Sequence, residues 1–173
     1  MLSENKVWDF DFDLMSGVLD TLDNQLASLD ATEKTCPDPD GFGILDEMEY
    51  LSGIGFVVCQ RYLSATASWS RIPKRQALDL PPLLSSGKSV ATVVNAAANY
   101  WKHGKDTPPS CENTLWSSTM QIIQEAGVEP TGYACSNLLF LIVGEKKPPF
   151  AAMSARLEEW RSSVIDLRHK RVR

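Results

Sequence analysis

The chain is poor in the side chains that build catalytic and metal sites: it has two histidines and four cysteines among 173 residues. The cysteines, Cys36, Cys59, Cys111 and Cys135, are scattered without a CxxC pair, which argues against a zinc site or a disulfide framework. Serine or cysteine catalysis needs a base within hydrogen-bond reach, and two histidines offer few arrangements. We therefore expect no metal and no cofactor, and the sequence favours a protein that is not an enzyme.

Long apolar runs are also missing. The most apolar segments, GIGFVVC (53–59) and NLLFLIVG (137–144), are much shorter than the roughly 20 residues that cross a bilayer. The opening stretch MLSENKVWDFDFD has neither a basic flank nor an uninterrupted apolar run, so it is not typical of a secretory signal. We expect a cytoplasmic protein that does not insert into a membrane.

Composition and length indicate one folded domain. The chain is 43% hydrophobic and 23% charged, which is typical of globular proteins rather than of disordered ones. A chain of this length usually forms one domain, and neither an internal repeat nor a linker divides it. We predict a single domain over residues 1–173.

The spacing of apolar residues predicts an all-α protein, a bundle of about five to six helices. Apolar side chains recur at steps of three and four residues, which is the stripe of an amphipathic helix and not the alternation of a strand. We expect the segment over 133–144 to be a fully buried helix, with a strand as the alternative, and the segment over 71–89 to be a long surface connection. The predicted helices cover about 9–30, 44–70, 90–103, 115–126, 133–144 and 150–167.

Two local features have structural explanations. Gly53 and Gly55 lie inside the helix predicted over 44–70, where each glycine lowers helix stability, so we expect them to let a neighbouring helix approach closely. A ligand crevice is the alternative. Ser86 or Ser89 is expected to cap the helix that starts near residue 90, because a serine oxygen accepts a bond from the unpaired first-turn amides.

The stretch NAAANYWKHGKD (95–106) ends a predicted helix and also gathers polar residues. We expect Trp101 to face the core and Gly104 to close the helix in the left-handed conformation. Basic residues in the last turn suit the negative end of the helix dipole. Polar residues three and four positions apart are neighbours on a helix, so the stretch is also a candidate binding site for a polar ligand or partner. Its residues are Asn95, Asn99, Lys102, His103 and Asp106.

Charge is distributed unevenly along the chain. Residues 1–50 hold 13 acidic and two basic residues, a net charge of −11, so the other 123 residues carry +6 within a total of −5. The positive charge is concentrated in RHKRVR (168–173), which either pairs with the acidic first helix, stays solvated, or contacts nucleic acid. The residues of this basic tail are Arg168, His169, Lys170, Arg171 and Arg173.

The helix predicted after KKPPF carries one apolar seam. Its members are spaced three and four residues apart from Phe150 to Leu167, which predicts packing on the bundle or on a second copy of the chain. This seam suggests a protein partner, which includes a homodimer.

The helix end NYWKH (99–103) resembles that of small bacterial helical proteins, some of them HEPN-like. The resemblance implies a helical bundle, often dimeric, whose ribonuclease members use an arginine and a histidine four to six residues apart in a late helix. Such members occur in toxin–antitoxin and phage-defence systems. Here the nearest pair is Arg161 and His169, with seven residues between them, so the motif is not matched. The weak catalytic candidates are His103, Arg161 and His169.

Three functional hypotheses remain open. The first is a non-catalytic interaction or regulatory protein of a bacterial or phage system. The second is a HEPN-like ribonuclease. The third is a nucleic-acid-binding module that uses the basic tail.

Overall fold

The protein is all-helical, as its sequence predicts. The computed structural model describes residues 9–104, 114–144 and 149–172, and no β-sheet forms within these ranges. None of the helices in the same ranges has the length and apolarity that a bilayer span requires. The described ranges contain seven helices, which are α1 (Phe10–Glu33), α2 (Ile44–Ser70), α3 (Lys74–Leu78), α4 (Val90–His103), α5 (Thr114–Ala126), α6 (Ala134–Val143) and α7 (Phe150–Val172).

Helix α2 lies at the centre of the bundle, where it packs against α1, α3, α4, α6 and α7. The apolar seam of α7 faces this core, so it packs on its own bundle. It therefore offers no open surface to a second copy, and the seam no longer supports a protein partner. Its fully buried members are Phe150, Met153, Leu157, Trp160 and Val164.

The two glycines of α2 receive aromatic rings. A Cβ atom at Gly53 would lie 2.1 Å from the ring of Trp101, and one at Gly55 would lie 2.2 Å from the ring of Phe150. The expectation of close approach is therefore confirmed, with a side chain rather than a backbone as the neighbour. The ring of Trp101 is half-buried over Gly53 and lies beside the buried stripe of α4. It also packs edge to face against the ring of Tyr50.

Helix α4 ends at His103 as predicted, but Gly104 is not left-handed. Its φ of −62° and ψ of −33° continue the right-handed helix, and its N–H donates to the carbonyl of Tyr100. A Cβ here would lie 2.7 Å from that carbonyl oxygen and 3.3 Å from the ring of Trp116. Glycine is therefore needed at this position because of crowding and not because of a positive φ.

The connection over 71–89 is only partly a surface segment. It contains α3, whose Ala77 and Leu78 are buried, because the indole Nε1 of Trp160 donates to the Ala77 carbonyl at 2.7 Å. Ser89 caps α4 as expected, since its hydroxyl accepts from the N–H of Thr92. The segment predicted as a loop thus contributes to the core.

Helix α6 is not fully buried, which corrects the sequence prediction. Phe140 and Asn137 are exposed, because α6 packs against α2, α4 and α7 on one side only. Its N-terminus is closed by the buried Glu49 of α2, whose carboxylate accepts from the N–H groups of Cys135 and Ser136 at 2.7 and 2.8 Å. A carboxylate at this end of a helix also interacts favourably with the helix dipole.

Two more carboxylates join distant parts of the chain. Asp23 of α1 accepts from the N–H groups of Phe150 and Ala151 at 2.6 and 2.9 Å, and so caps α7. Asp9 caps α1 and also accepts from the Tyr62 hydroxyl at 2.8 Å and from Arg161 at 3.1 Å. The first and last helices are thereby fixed to each other and to α2.

Candidate functional site

Three of the residues predicted as a cluster meet around one glutamine of α2. The side-chain amide of the buried Gln60 donates to Asn95 Oδ1 at 3.0 Å and to Asn99 Oδ1 at 2.8 Å. The ammonium of Lys102 donates to Gln60 Oε1 at 2.7 Å. Because an ammonium only donates, Lys102 determines which way the glutamine amide faces. The four side chains form one connected network between α2 and α4.

This network forms one wall of a groove of about 1250 Å³ between α2, α3, α4 and α5, called here the polar groove. Four basic residues and two acidic ones line it, so its charge is opposite in sign to that of the whole chain. The basic residues are Lys74, Arg75, Lys88 and Lys102, and the acidic ones are Asp79 and Glu125.

Part of this charge is already paired. Lys88 forms an ion pair with Glu125, and hydrogen bonds from Lys88 and Gln121 lower the pKa of the Glu125 carboxyl. Lys74 donates to the Ser64 hydroxyl at 3.1 Å. In the part of the chain that the structure describes, neither Lys74 nor Lys102 forms an ion pair with a carboxylate.

Lys102 is electrostatically distinct from an ordinary surface lysine. Partial burial lowers the pKa of its ammonium, and the positive charge of Lys74 lowers it further. Both causes disfavour the charged form of Lys102. An anion placed beside its ammonium would favour that form and raise the pKa again. The groove therefore has the chemistry of a site for a carboxylate or another small anionic group.

The other members of the predicted cluster lie elsewhere. His103 is exposed at the last position of α4, about 100° around the helix from Lys102. It is not among the described residues that line the polar groove. Asp106 lies outside the described residues. The cluster is thus Asn95, Asn99 and Lys102, joined by a glutamine that the sequence analysis did not single out.

Gln60 was missed because its partners are 35 to 42 residues away along the chain. The available signal was a lone amide inside the otherwise apolar run GFVVCQRY of a central helix. A buried polar side chain requires partners, so a glutamine at this position indicates a polar contact with another helix. Lys74 and Lys88 were missed because they lie in the segment predicted as a surface connection.

The catalytic candidates Arg161 and His169 have different surroundings. Arg161 is held by Asp9 at 3.1 Å and Glu158 at 2.7 Å, and its guanidinium lies 5.0 Å from the ring centroid of Phe12. His169 is exposed near the end of α7. These contacts give Arg161 a structural role in joining α7 to α1.

The basic tail is helical and packs partly on its own chain. Arg168 stacks over the ring of Trp69 at 4.0 Å, and Arg171 donates to the side chain of Gln76 in α3. Lys170 is exposed. Arg173 lies outside the described residues. The tail therefore continues the last helix beside Gln76 of α3. The carboxylate that pairs with α7 is that of Asp9, the N-cap residue of α1, and its partner is Arg161.

The described residues give no metal site and no activated thiol. No group of three or more histidine, cysteine, aspartate or glutamate side chains within the described ranges is arranged to hold a metal ion. Burial raises the pKa of the Cys59 thiol to about 12, and burial together with Glu49 raises the pKa of Cys135. Both thiols are protonated at neutral pH and are poor nucleophiles. Cys111 lies outside the described residues.

Comparison with known proteins gives no relative for this chain. No family model, curated protein or solved structure matches it. The resemblance of NYWKH to HEPN-like proteins therefore stays a prediction, together with the ribonuclease activity that it implies.

Proposed function

We propose that this protein is a non-catalytic interaction protein whose polar groove holds an anionic group presented by a protein partner. The observation that carries the proposal is the ammonium of Lys102, which donates to Gln60 and lies in one groove with Lys74. A regulatory role in a bacterial or phage system is the setting that the HEPN-like resemblance implies, and it rests on that resemblance alone.

One face of α4 offers several donors to the proposed anion. An ammonium has three N–H donors, and Lys102 uses one of them on Gln60, which leaves two for a ligand. Asn95 and Asn99 accept from Gln60 through their oxygens, so their amide N–H groups remain donors in the groove lining. Charge-assisted bonds from a fixed ammonium are stronger than neutral ones. A glutamate or aspartate side chain of a partner fits this set of donors.

Replacing Lys102 by methionine should weaken binding of an acidic peptide about 10- to 100-fold, because a hydrogen bond to a charged group contributes about 1.5–3 kcal/mol. The probe is a fluorescent hexaglutamate peptide, titrated by anisotropy. Affinity should also fall as the pH rises through the lowered pKa of Lys102, because only its protonated form attracts the carboxylate. Hexalysine serves as the peptide of opposite charge.

Lys34→Met is the matched control, since Lys34 is the exposed C-cap residue of α1 and does not line the polar groove. It removes the same charge and should leave hexaglutamate affinity within about two-fold, since exposed charges contribute little. Equal losses in the two variants would show that the peptide responds to net charge and not to the groove. No measurable hexaglutamate binding would also refute the proposal.

A second candidate function is nucleic-acid binding, favoured by the contact between Arg171 and Gln76. This contact places Arg171 beside Gln76 of α3, a helix that also carries Lys74 and Arg75. The sequence alone gives the tail as an isolated run of charges, whereas the structure joins it to a second basic element. A polyanion needs such an extended basic surface on an acidic protein.

If the tail binds nucleic acid, the logarithm of the affinity for a single-stranded RNA 20-mer should fall linearly with the logarithm of salt concentration. The double variant Lys170→Ala, Arg171→Ala should reduce that slope by about 1 to 2, one unit for each phosphate contact removed. Lys34→Ala is again the control and should leave the slope unchanged. An identical slope in the tail variant would exclude the tail, and intact RNA after incubation would argue against the ribonuclease hypothesis.

A further inference from the structure

Helix α1 carries a second apolar stripe, which is exposed and lies beside the face that packs in the core. Phe10, Leu14 and Val18 are 63%, 54% and 44% exposed, respectively. They are four residues apart, so they lie on one face of the helix. The residues of the same helix that pack in the bundle, Met15, Leu19 and Leu22, lie about 110° around the helix from this stripe. This surface, called here the outer stripe, is apolar without any described residue of the chain covering it.

A glycine opens the middle of the outer stripe. Gly17 lies next to Leu14 and Val18 on the helix surface, and a Cβ atom added there would meet nothing within 4 Å. Glycine weakens a helix interior, and here no packing inside the chain requires it. The result is a shallow depression of about 410 Å³ that Leu14, Val18 and Thr21 border and Asp13 flanks. A side chain of a partner helix can enter such a depression.

The charge beside the stripe is of one sign. Helix α1 contains six acidic residues and no basic one. At about 100° per residue, Asp13 and Asp20 lie on one flank of the stripe and Asp11 on the other. Two copies of α1 packed face to face would bring these carboxylates together, and like charges in an interface are unfavourable. A second copy of this chain is therefore a poor occupant.

We propose that the outer stripe binds an amphipathic helix of a partner protein whose polar face is basic. Apolar side chains of that helix contact Phe10, Leu14 and Val18, and one of them enters the depression at Gly17. Its lysines or arginines face the flanking aspartates, as in other helix-in-groove interfaces that combine apolar anchors with complementary charge. The stripe lies on α1 and the polar groove on α2 to α5, so this inference is independent of the proposed function.

The test uses a synthetic 21-residue helix with leucine at positions a and d of each heptad and lysine on its polar face. Its affinity for the full chain is measured by isothermal titration calorimetry at two salt concentrations. The double variant Leu14→Ser, Val18→Ser should bind at least ten-fold more weakly. Gly17→Leu should also bind at least ten-fold more weakly while its melting temperature stays the same or rises. Leu83→Ser, an exposed leucine of another segment, should bind like the parent protein.

Three outcomes would overturn the inference. The first is affinity unchanged in the Leu14→Ser, Val18→Ser variant. The second is equal binding of a matched helix with glutamate in place of lysine, because the charge argument would then fail. The third is a dimer of the parent chain, seen by light scattering, that dissociates in the double variant, because a second copy would then be the occupant.

Discussion

Replacing Trp160 by alanine should lower the free energy of unfolding by about 3 to 5 kcal/mol, the range for a fully buried large aromatic side chain. Trp160 is fully buried in the seam of α7 and packs edge to face against Tyr62. Its removal leaves a cavity and also leaves the carbonyl of Ala77 without its indole donor. Urea unfolding followed by circular dichroism measures the change.

Two further variants separate the causes. Trp160→Phe keeps much of the apolar volume and loses the N–H, so it should cost less than Trp160→Ala. Glu159→Ala changes the neighbouring exposed residue and should stay within about 0.5 kcal/mol of the parent protein. A Trp160→Ala protein that unfolds with nearly the parent's free energy would contradict the placement of the α7 seam in the core.

Replacing Glu49 by glutamine should lower the free energy of unfolding by about 2 to 4 kcal/mol, since a buried bond to a charged group contributes about 1.5–3 kcal/mol and the charge favours a helix N-terminus. Glutamine offers one acceptor oxygen where the carboxylate has two. The side-chain NH2 of the glutamine would then face another donor, either the N–H of Cys135 or that of Ser136, and one hydrogen bond would be lost. Thermal and urea unfolding should both show the loss.

The control is Glu47→Gln, an exposed glutamate in the first turn of the same helix. It removes an equal charge without removing a described contact to α6, so the expected change is within about 0.5 kcal/mol. Similar losses in Glu47→Gln and Glu49→Gln would mean that net charge, and not the cap of α6, explains the effect. Hydrogen exchange at Cys135 and Ser136 should speed up in Glu49→Gln alone.

The helices that could be predicted best are those whose signals are local. Helix α2 has the predicted bounds, and α4 has them as well, because apolar periodicity and the Ser89 cap depend on neighbours in sequence. The close packing at Gly53 and Gly55 was also predictable, although the rings that provide it were not. Two glycines destabilise the interior of a long helix, so their presence there indicates that a neighbour needs the space.

The errors arise where a distant residue decides the local structure. At Gly104 a Cβ atom would meet the carbonyl of Tyr100 and the ring of Trp116, and no pattern in the sequence shows that ring. Helix α3 forms in a proline-rich segment because Ala77 lies under Trp160, 83 residues later. The exposure of Phe140 likewise depends on which helices surround α6.

The sequence predicts the part of the candidate site that lies on α4, but not the part that comes from α2 and α3. Asn95, Asn99 and Lys102 share one face of one helix, so their proximity follows from helix geometry. Gln60 and Lys74, which complete the polar groove, come from α2 and α3, and only the packing of these helices on α4 brings them in. The sequence does not separate the outer stripe from the core-facing stripe of α1. Val18 fits the same spacing of three and four residues as the buried Met15 and Leu22.

The position of α7 has a consequence for the order in which the chain folds. Its seam supplies a large share of the core, and its N-terminus and Arg161 are held by Asp23 and Asp9 of α1, 127 and 152 residues earlier. A nascent chain that ends before residue 150 therefore exposes the apolar surfaces of α1 and α2 that α7 later covers. Contacts between such distant segments slow folding, and transiently exposed apolar surface favours aggregation. We therefore expect a chain that is truncated before residue 150 to aggregate more readily than the full-length protein.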